Sequence, residues 1–374
     1  MASSRNSSST EAGLHPLEER VRHELVEHVD PGDRVLLGYS GGRDSSSLLR
    51  VLARLSKELR FDLRAVHVHH GLSPRADEWG DFCARTCAVL GVPFSVERVD
   101  LSRHRAHGRE GAARVARYEA YARHEADVLV LAHHADDQAE TVMLRLLRGA
   151  GPGGLSCMRS CRVEPGVSWK KLLRPLLGIP GGEIAAYAGE RGINWVTDES
   201  NDDTLLDRNF LRKRVLPVLE ARFPGAHGRL GQSAVLAAEA GELLDVLGES
   251  DATALRVDSG FGAGLDLVGL KKLGSARGRN ALRAWLRQLQ APSPGHDALV
   301  ELWRQVTTAR DDMQPLQEKD GWEIRRYRGV LLLERSRAVP TGFELAWRGE
   351  DRLPVVLLGG TLDRKSTRLN SSHT

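Results

Sequence analysis

Between Arg34 and Leu131, short apolar runs alternate with amphipathic stretches, and this alternation limits the folds open to the 374-residue chain. The runs are Val35-Leu36-Leu37, Ala65-Val66-His67-Val68, Phe94-Ser95-Val96 and Val128-Leu129-Val130-Leu131. Between them lie helical patterns, such as Leu48, Leu52 and Leu55 at i, i+4 and i+7. Strands separated by helices imply a parallel sheet covered on both faces. Ligands of such sheets bind beyond the carboxyl ends of the strands, where strand order reverses. The segments that directly follow a strand are therefore where function is to be sought.

The length suits two or three domains. No run of about 18 apolar residues is present, and the Ser-rich start lacks the apolar centre of a secretory signal, so a cytoplasmic protein without membrane contact is expected. The formal charge is only +3, but arginine clusters at Arg208–Arg214 and at Arg325, Arg326 and Arg328. Such clusters suit forked contacts to phosphate, or equally a solvated face. Cys83/Cys87 and Cys157/Cys161 have spacings that do not exclude a metal, although Cys83 and Cys87 fall one helical turn apart in an apolar pattern, where buried thiols are common.

Three segments follow strands. The first is Ser40-Gly41-Gly42-Arg43-Asp44-Ser45, whose glycines and helix-start amides suit a phosphate. Asp44 stands where a Walker loop would carry Lys, and a carboxylate beside phosphates implies Mg²⁺ between them. A plain glycine turn with a capping residue is the alternative. The second, His67-Val68-His69-His70-Gly71-Leu72, reads as loop histidines as readily as ligands. In the third, His133-His134-Ala135-Asp136-Asp137-Gln138-Ala139-Glu140-Thr141, a buried stripe of Ala139, Val142, Met143 and Leu146 puts Asp137 and Glu140 on roughly the opposite side. Acids in a first turn suit the helix dipole, but three beside His134 also suit Mg²⁺ or a cationic amine.

The first loop resembles that of the ATP pyrophosphatases. Glu110 to Tyr118, His134 to Thr141, Arg148-Gly149 with Gly154-Leu155, Arg174-Pro175-Leu176-Leu177, Asp198 to Asn201 and Asp207 to Arg212 together resemble tRNA(Ile)-lysidine synthases. Asp297 to Val300 and Glu323 to Tyr327 resemble the middle domain of their longer bacterial members. The resemblance implies an α/β fold: a parallel-sheet PP-loop ATPase (Rossmann-like) domain over residues 15–222, then a smaller mostly helical domain. A disordered tail (1–14), a linking helix (223–250), a tRNA-binding middle domain (251–338) and the start of a truncated C-terminal domain (339–362) complete the expected layout. Residues 363–374 resemble a translated sequencing adapter and are set aside.

The implied reaction joins free L-lysine to the wobble cytidine of tRNA(Ile) through an adenylated base, releasing pyrophosphate and AMP. By that resemblance Ser40, Gly41, Gly42, Arg43, Asp44, Ser45 and His67 would bind ATP, with Asp44 on Mg²⁺. Arg114 and Arg174 would neutralise the α-phosphate, Asp137 and Glu140 would hold the lysine amine, and His134 would position or deprotonate it. Arg208, Asn209, Arg212 and Lys213 would meet tRNA. A homodimer is left open. The alternatives are a tRNA sulfurtransferase on the same loop and an inactive RNA-binding remnant.

Overall fold

The computed structural model describes residues 13–164, 166–199, 203–259, 262–292, 294–308, 317–319, 321–335, 346, 348–355 and 360–363. Most of the expected N-terminal tail, Ser200 and Asn201 of the 198–201 motif, and residues 364–374 lie outside them, as does half of 339–362. The chain divides into two compact units, Met1–Glu242 and Leu243–Thr374.

The first unit opens with α1 (Pro16–His28), β1 (Arg34–Gly38), α2 (Arg43–Leu59), β2 (Asp62–His69), α3 (Ala76–Leu90) and β3 (Phe94–Arg98). A 3₁₀ segment (Leu101–His107) leads into α4 (Gly108–Tyr121), followed by β4 (Val128–Val130), α5 (Ala135–Leu147) and the short α6 (Pro152–Leu155). β5 (Cys161–Val163), β6 (Lys171–Leu173) and α7 (Gly181–Glu190) close the sheet region. The strand order is β3-β2-β1-β4-β6-β5, parallel except for β5. Strand order reverses at β1, which pairs with both β2 and β4, so the loops after β1 and β4 emerge side by side.

Two cores clamp the sheet. Val35, Leu37, Leu48, Leu52, Leu55 and Val130 pack on one face with α1, α2 and α7, while Leu36, Val66, Leu129, Tyr121 and Trp169 pack on the other. Each such buried aliphatic side chain contributes about 1.5–3 kcal/mol. Cys83 and Cys87 belong to the first core, where burial pushes both thiols up to about 12.

The α5 stripe differs from expectation. Ala139 and Val142 are buried, but Leu146 is 53% exposed and Glu140 is fully buried. The polar side of the helix is covered by the chain that follows α7, which brings Arg208 and Arg212 onto Glu140. That chain forms α8 (Asp207–Phe210), a wider π turn (Leu211–Val215) and α9 (Leu216–Arg222). α10 (Ala226–Ala254) covers the expected linking helix except its first three residues, runs four residues further, and contains the point of division between the units.

In the second unit, β7 (Arg256–Ser259) and β8 (Gly262–Asp266) precede α11 (Leu267–Lys272), α12 (Ser275–Gln288) and α13 (His296–Thr308). β9 (Gln317–Lys319), β10 (Trp322–Tyr327) and β11 (Val330–Arg335) complete an antiparallel sheet ordered β7-β8-β11-β10-β9. Leu282, Trp285, Leu299 and Leu302 of the helices pack with Leu265, Ile324 and Leu331 of the sheet. Arg328 (φ 48°) and Gly329 (φ 78°) form the two-residue turn of the expected β10–β11 hairpin, both with the positive φ that such turns require. Only this hairpin of the sheet was legible in the sequence. Arg352–Val355 and Gly360–Asp363 pair separately.

Candidate active site

The loop after β1 is built to receive an anion. Gly42 caps α2 without any side-chain hydrogen bond, which leaves first-turn amides available at the positive end of a 17-residue helix. Gly41 has φ +83°, and a Cβ there would lie 2.9 Å from Cys83 Sγ and 3.0 Å from Val196 Cγ2. Ser40 Oγ and Ser45 Oγ lie 2.9 Å apart, and Ser45 Oγ donates to the Gly42 carbonyl at 3.0 Å. Both hydroxyls border a cavity of about 640 Å³, a volume within the usual range for small-molecule sites.

One wall of the cavity comes from β2 and its exit. His67 donates from Nδ1 to the Tyr39 carbonyl at 3.0 Å, and burial holds its pKa below the ordinary value. His70 is pushed down to about 4, by burial first and then by the charge of Arg117, so it is neutral at pH 7. The opposite wall is a single face of α4: Glu110, Ala113, Arg114, Arg117, Tyr118 and Tyr121. The Arg114 guanidinium stacks over the Tyr118 ring at 5.1 Å. Arg117 was not singled out as a site residue from the sequence, although its i+3 spacing from Arg114 was a usable signal. Arg174, expected at the α-phosphate, is 3% exposed and does not line this cavity. Its Nε donates to His133 Nδ1 at 3.3 Å and its Nη1 to the Arg159 carbonyl at 2.9 Å, and of these two partners His133 lines the cavity.

The acidic cluster lies against Asp44. His134 caps α5: its Nδ1 accepts from Asp136 N at 3.2 Å, while its own backbone N–H donates to Asp137 Oδ2 at 3.0 Å. The ring's Nε2 is then 3.5 Å from Asp44 Oδ2 and 3.6 Å from Asp137 Oδ2. Burial lowers the His134 pKa, but the hydrogen bond to Asp44 and the charges of Asp137, Asp44 and Asp136 outweigh it, and the net direction is upward. Burial likewise raises Asp44, yet His134 and Arg43 outweigh it and hold that carboxyl below the ordinary range. Asp136 turns to α7, accepting from Gly181 N at 3.3 Å.

Arg212, expected on tRNA, grips the carboxylates instead. Its Nε donates to Glu140 Oε1 at 2.5 Å and its Nη2 to Glu140 Oε2 and Asp137 Oδ1, both at 3.1 Å. Arg208 lies 3.6 Å from Glu140 Oε2 and donates to Thr141 Oγ1 at 3.2 Å. Asn209 is buried and donates to the Asp203 carbonyl at 2.8 Å. Lys213 is exposed. Burial pushes Glu140 up in spite of Arg212.

Mg²⁺ can be tested against these residues. Among the described residues no three His, Cys, Asp or Glu side chains gather as a metal cage. Asp44 is a single carboxylate at the mouth of an amide-lined loop, which suits an ion held by one carboxylate, substrate phosphates and water.

Residues 15–219 match the family model for the PP-loop domain, and residues 265–332 match that for the TilS substrate binding domain. A tRNA(Ile)-lysidine synthase of Nitrosomonas europaea is 42% identical over 351 residues, 93% of this chain and 75% of the relative. Those of Escherichia coli O157:H7 and Xanthomonas campestris are 42% and 41% identical, covering 80% and 86% of this chain and 68% and 74% of theirs. Among solved structures, a U34-tRNA thiolase from Methanococcus maripaludis aligns with a TM-score of 0.51 at 20% identity, over 60% of this chain and 78% of its own, a likeness of fold.

Proposed function

The chain belongs to the tRNA(Ile)-lysidine synthase family of ATP-dependent ligases, and on that premise we propose how its residues divide the reaction. The substrates are ATP, free L-lysine and the wobble cytidine of tRNA(Ile). In the first step the cytosine O2 attacks the α-phosphate, forming an O–P bond as the bond to pyrophosphate breaks. In the second, the lysine ε-amine attacks C2, AMP leaves with the original O2, and the amine loses a proton.

The amides of α2 and the hydroxyls of Ser40 and Ser45 hold the departing pyrophosphate in the cavity. Asp44 would hold Mg²⁺, which supplies charge neutralisation between the phosphates when bound. Arg114 and Arg117 offset charge growing at the α-phosphate, where preorganised electrostatics contribute most. Arg174 acts through His133, as a positioning residue.

Asp137 and Glu140 take the lysine ammonium, in competition with the Arg212 guanidinium that they already hold. In neutral His134, Nδ1 is occupied by Asp136 N–H and the proton sits on Nε2 between Asp44 and Asp137. That arrangement favours His134 as the residue that ties the two half-sites together, rather than as the base.

The observation that carries this reading is the His134 bridge between the phosphate loop and the carboxylates. Sulfur transfer on the same loop is less supported, since Cys83 and Cys87 are core thiols held protonated. Among the described residues no helix is long and apolar enough to cross a membrane, and a cytoplasmic enzyme fits this. The test supplies ATP, Mg²⁺, labelled lysine and unmodified tRNA(Ile) transcript to the protein. Lysine incorporated into RNA with equal pyrophosphate supports the reading; sulfur incorporation, or no pyrophosphate release, overturns it.

A further inference from the structure

The exit of β4 carries two adjacent histidines in different surroundings. His134 caps α5 and stands between Asp44 and Asp137. His133 instead lines the cavity and accepts at Nδ1 from Arg174 Nε at 3.3 Å. A guanidinium has N–H donors and no acceptor, so Nδ1 is bare and the single proton of the neutral ring sits on Nε2. Burial pushes the His133 pKa below its ordinary value; Asp137 opposes this, while Arg174, Arg117 and Arg208 add to it. The ring is neutral at pH 7. Arg174 is itself fastened: it is 3% exposed, its Nη1 donates to the Arg159 carbonyl, and its backbone N–H donates to the Ser160 carbonyl at 2.7 Å. Beside those residues, the Met158 backbone exchanges hydrogen bonds of 2.8 and 3.1 Å with the buried amide of Gln138 on α5. The tautomer of His133 is thus set by parts of the fold that do not line the cavity.

We infer that His133 donates from its Nε2–H to a non-bridging oxygen of the α-phosphate in both steps of the reaction, with Arg174 as the positioning residue that fixes this donor. The choice of acceptor follows from the chemistry. A donor on the cytosine O2 would draw electron density from the atom that must attack, and would slow the first step. A donor on the α-phosphate gains strength as charge builds on its oxygens during that attack. It gains again when the bond from C2 to O2 breaks and AMP leaves with the electron pair. The proton stays on Nε2 throughout, as a neutral imidazole of lowered pKa allows, and the proton lost by the amine goes elsewhere. Arg114 and Arg117, assigned above to the α-phosphate, line the same cavity, and Arg117 is among the charges that act on the His133 ring.

The inference rests on the ligation proposed above, so the test separates the two. Nuclear magnetic resonance of the full chain, with isotope-labelled histidine nitrogens, reads the tautomer directly; the His133 signals are identified by their loss in His133→Gln. A bare Nδ1 and a protonated Nε2 are expected, unchanged between pH 6 and 8.5, with the Nε2–H signal moving when ATP and Mg²⁺ are added. In turnover, His133→Phe keeps a flat ring without a donor. It is expected to lower pyrophosphate release and lysine incorporation alike by about 100- to 1000-fold. His133→Gln, which keeps a neutral N–H and a carbonyl for Arg174, is expected to recover most of that loss. A proton on Nδ1, titration within that pH range, or a fully active His133→Phe would overturn the donor and leave the function standing. Loss of lysine incorporation with pyrophosphate release intact would also overturn it, by moving the residue to the amine half-site. Absence of lysine incorporation in the unaltered protein would instead remove the premise, while the nitrogen signals would still report the tautomer.

Discussion

On one side of Asp44, a cavity of about 640 Å³ is lined by Ser40, Ser45, Arg114 and Arg117 together with Glu110, Asp198 and Asp203. On the other side, Asp137 and Glu140 form an acidic cluster that is already filled, by Arg212 and by the backbone of His134. On the proposed assignment the first half-site would take an anion, and the second would take a cation only by exchange with the Arg212 guanidinium it holds. His134 stands between the two half-sites, its Nε2 3.5 Å from Asp44 Oδ2 and 3.6 Å from Asp137 Oδ2. On that assignment a nucleotide and an amine would be kept apart until the base is activated.

The largest effect is expected in the cavity. Arg114→Ala should lower kcat by about 100- to 1000-fold, the usual loss when one preorganised charge is removed from a transition state. Single-turnover pyrophosphate release checks this, and an unchanged rate would remove Arg114 from the chemistry. In the cluster, Glu140→Gln leaves Arg212 and Arg208 without their buried partner. Because the Arg212 side chain is 39% exposed, the cost falls below that of a fully buried pair, at about 2–3 kcal/mol, read by denaturant unfolding of the intact chain. The KM for lysine should rise while that for ATP holds.

Gly41→Ala sharpens the contrast from the loop. A side chain at φ +83° costs about 1–2 kcal/mol before any contact with Cys83 is counted, and the KM for ATP should rise with that for lysine unaffected. The smallest effect concerns the tie itself. With the His134 pKa raised in the folded state, its contribution to stability is full below its unfolded pKa near 6.5. That contribution fades as pH rises through the folded value. Melting of the chelator-treated protein between pH 6 and 8.5 should show this decline, and His134→Gln should lack it; parallel profiles would contradict the assignment.

The phosphate loop was legible because its residues are contiguous and follow a strand pattern. The acidic residues of α5 were legible for the same reason, but their partners were not. Arg212 meets Glu140 across 72 positions of sequence, and no local period reports such a contact. Glu140 was expected on the polar side of its helix and is instead sealed under that arginine. β5, β6 and β9 have three residues each, too few for a pattern, and β8, which pairs with β11, carries Gly262 and Gly264 in place of apolar side chains.

The most direct test measures the two half-reactions in one sample of the Asp137→Asn or Glu140→Gln enzyme, supplied with ATP, Mg²⁺, unmodified tRNA(Ile) and labelled lysine. RNA-dependent pyrophosphate release should persist while lysine incorporation falls, because the anion-receiving half is intact and the cation-receiving half is not. Equal loss of both, or of neither, would contradict the separation of the site at Asp44 and His134.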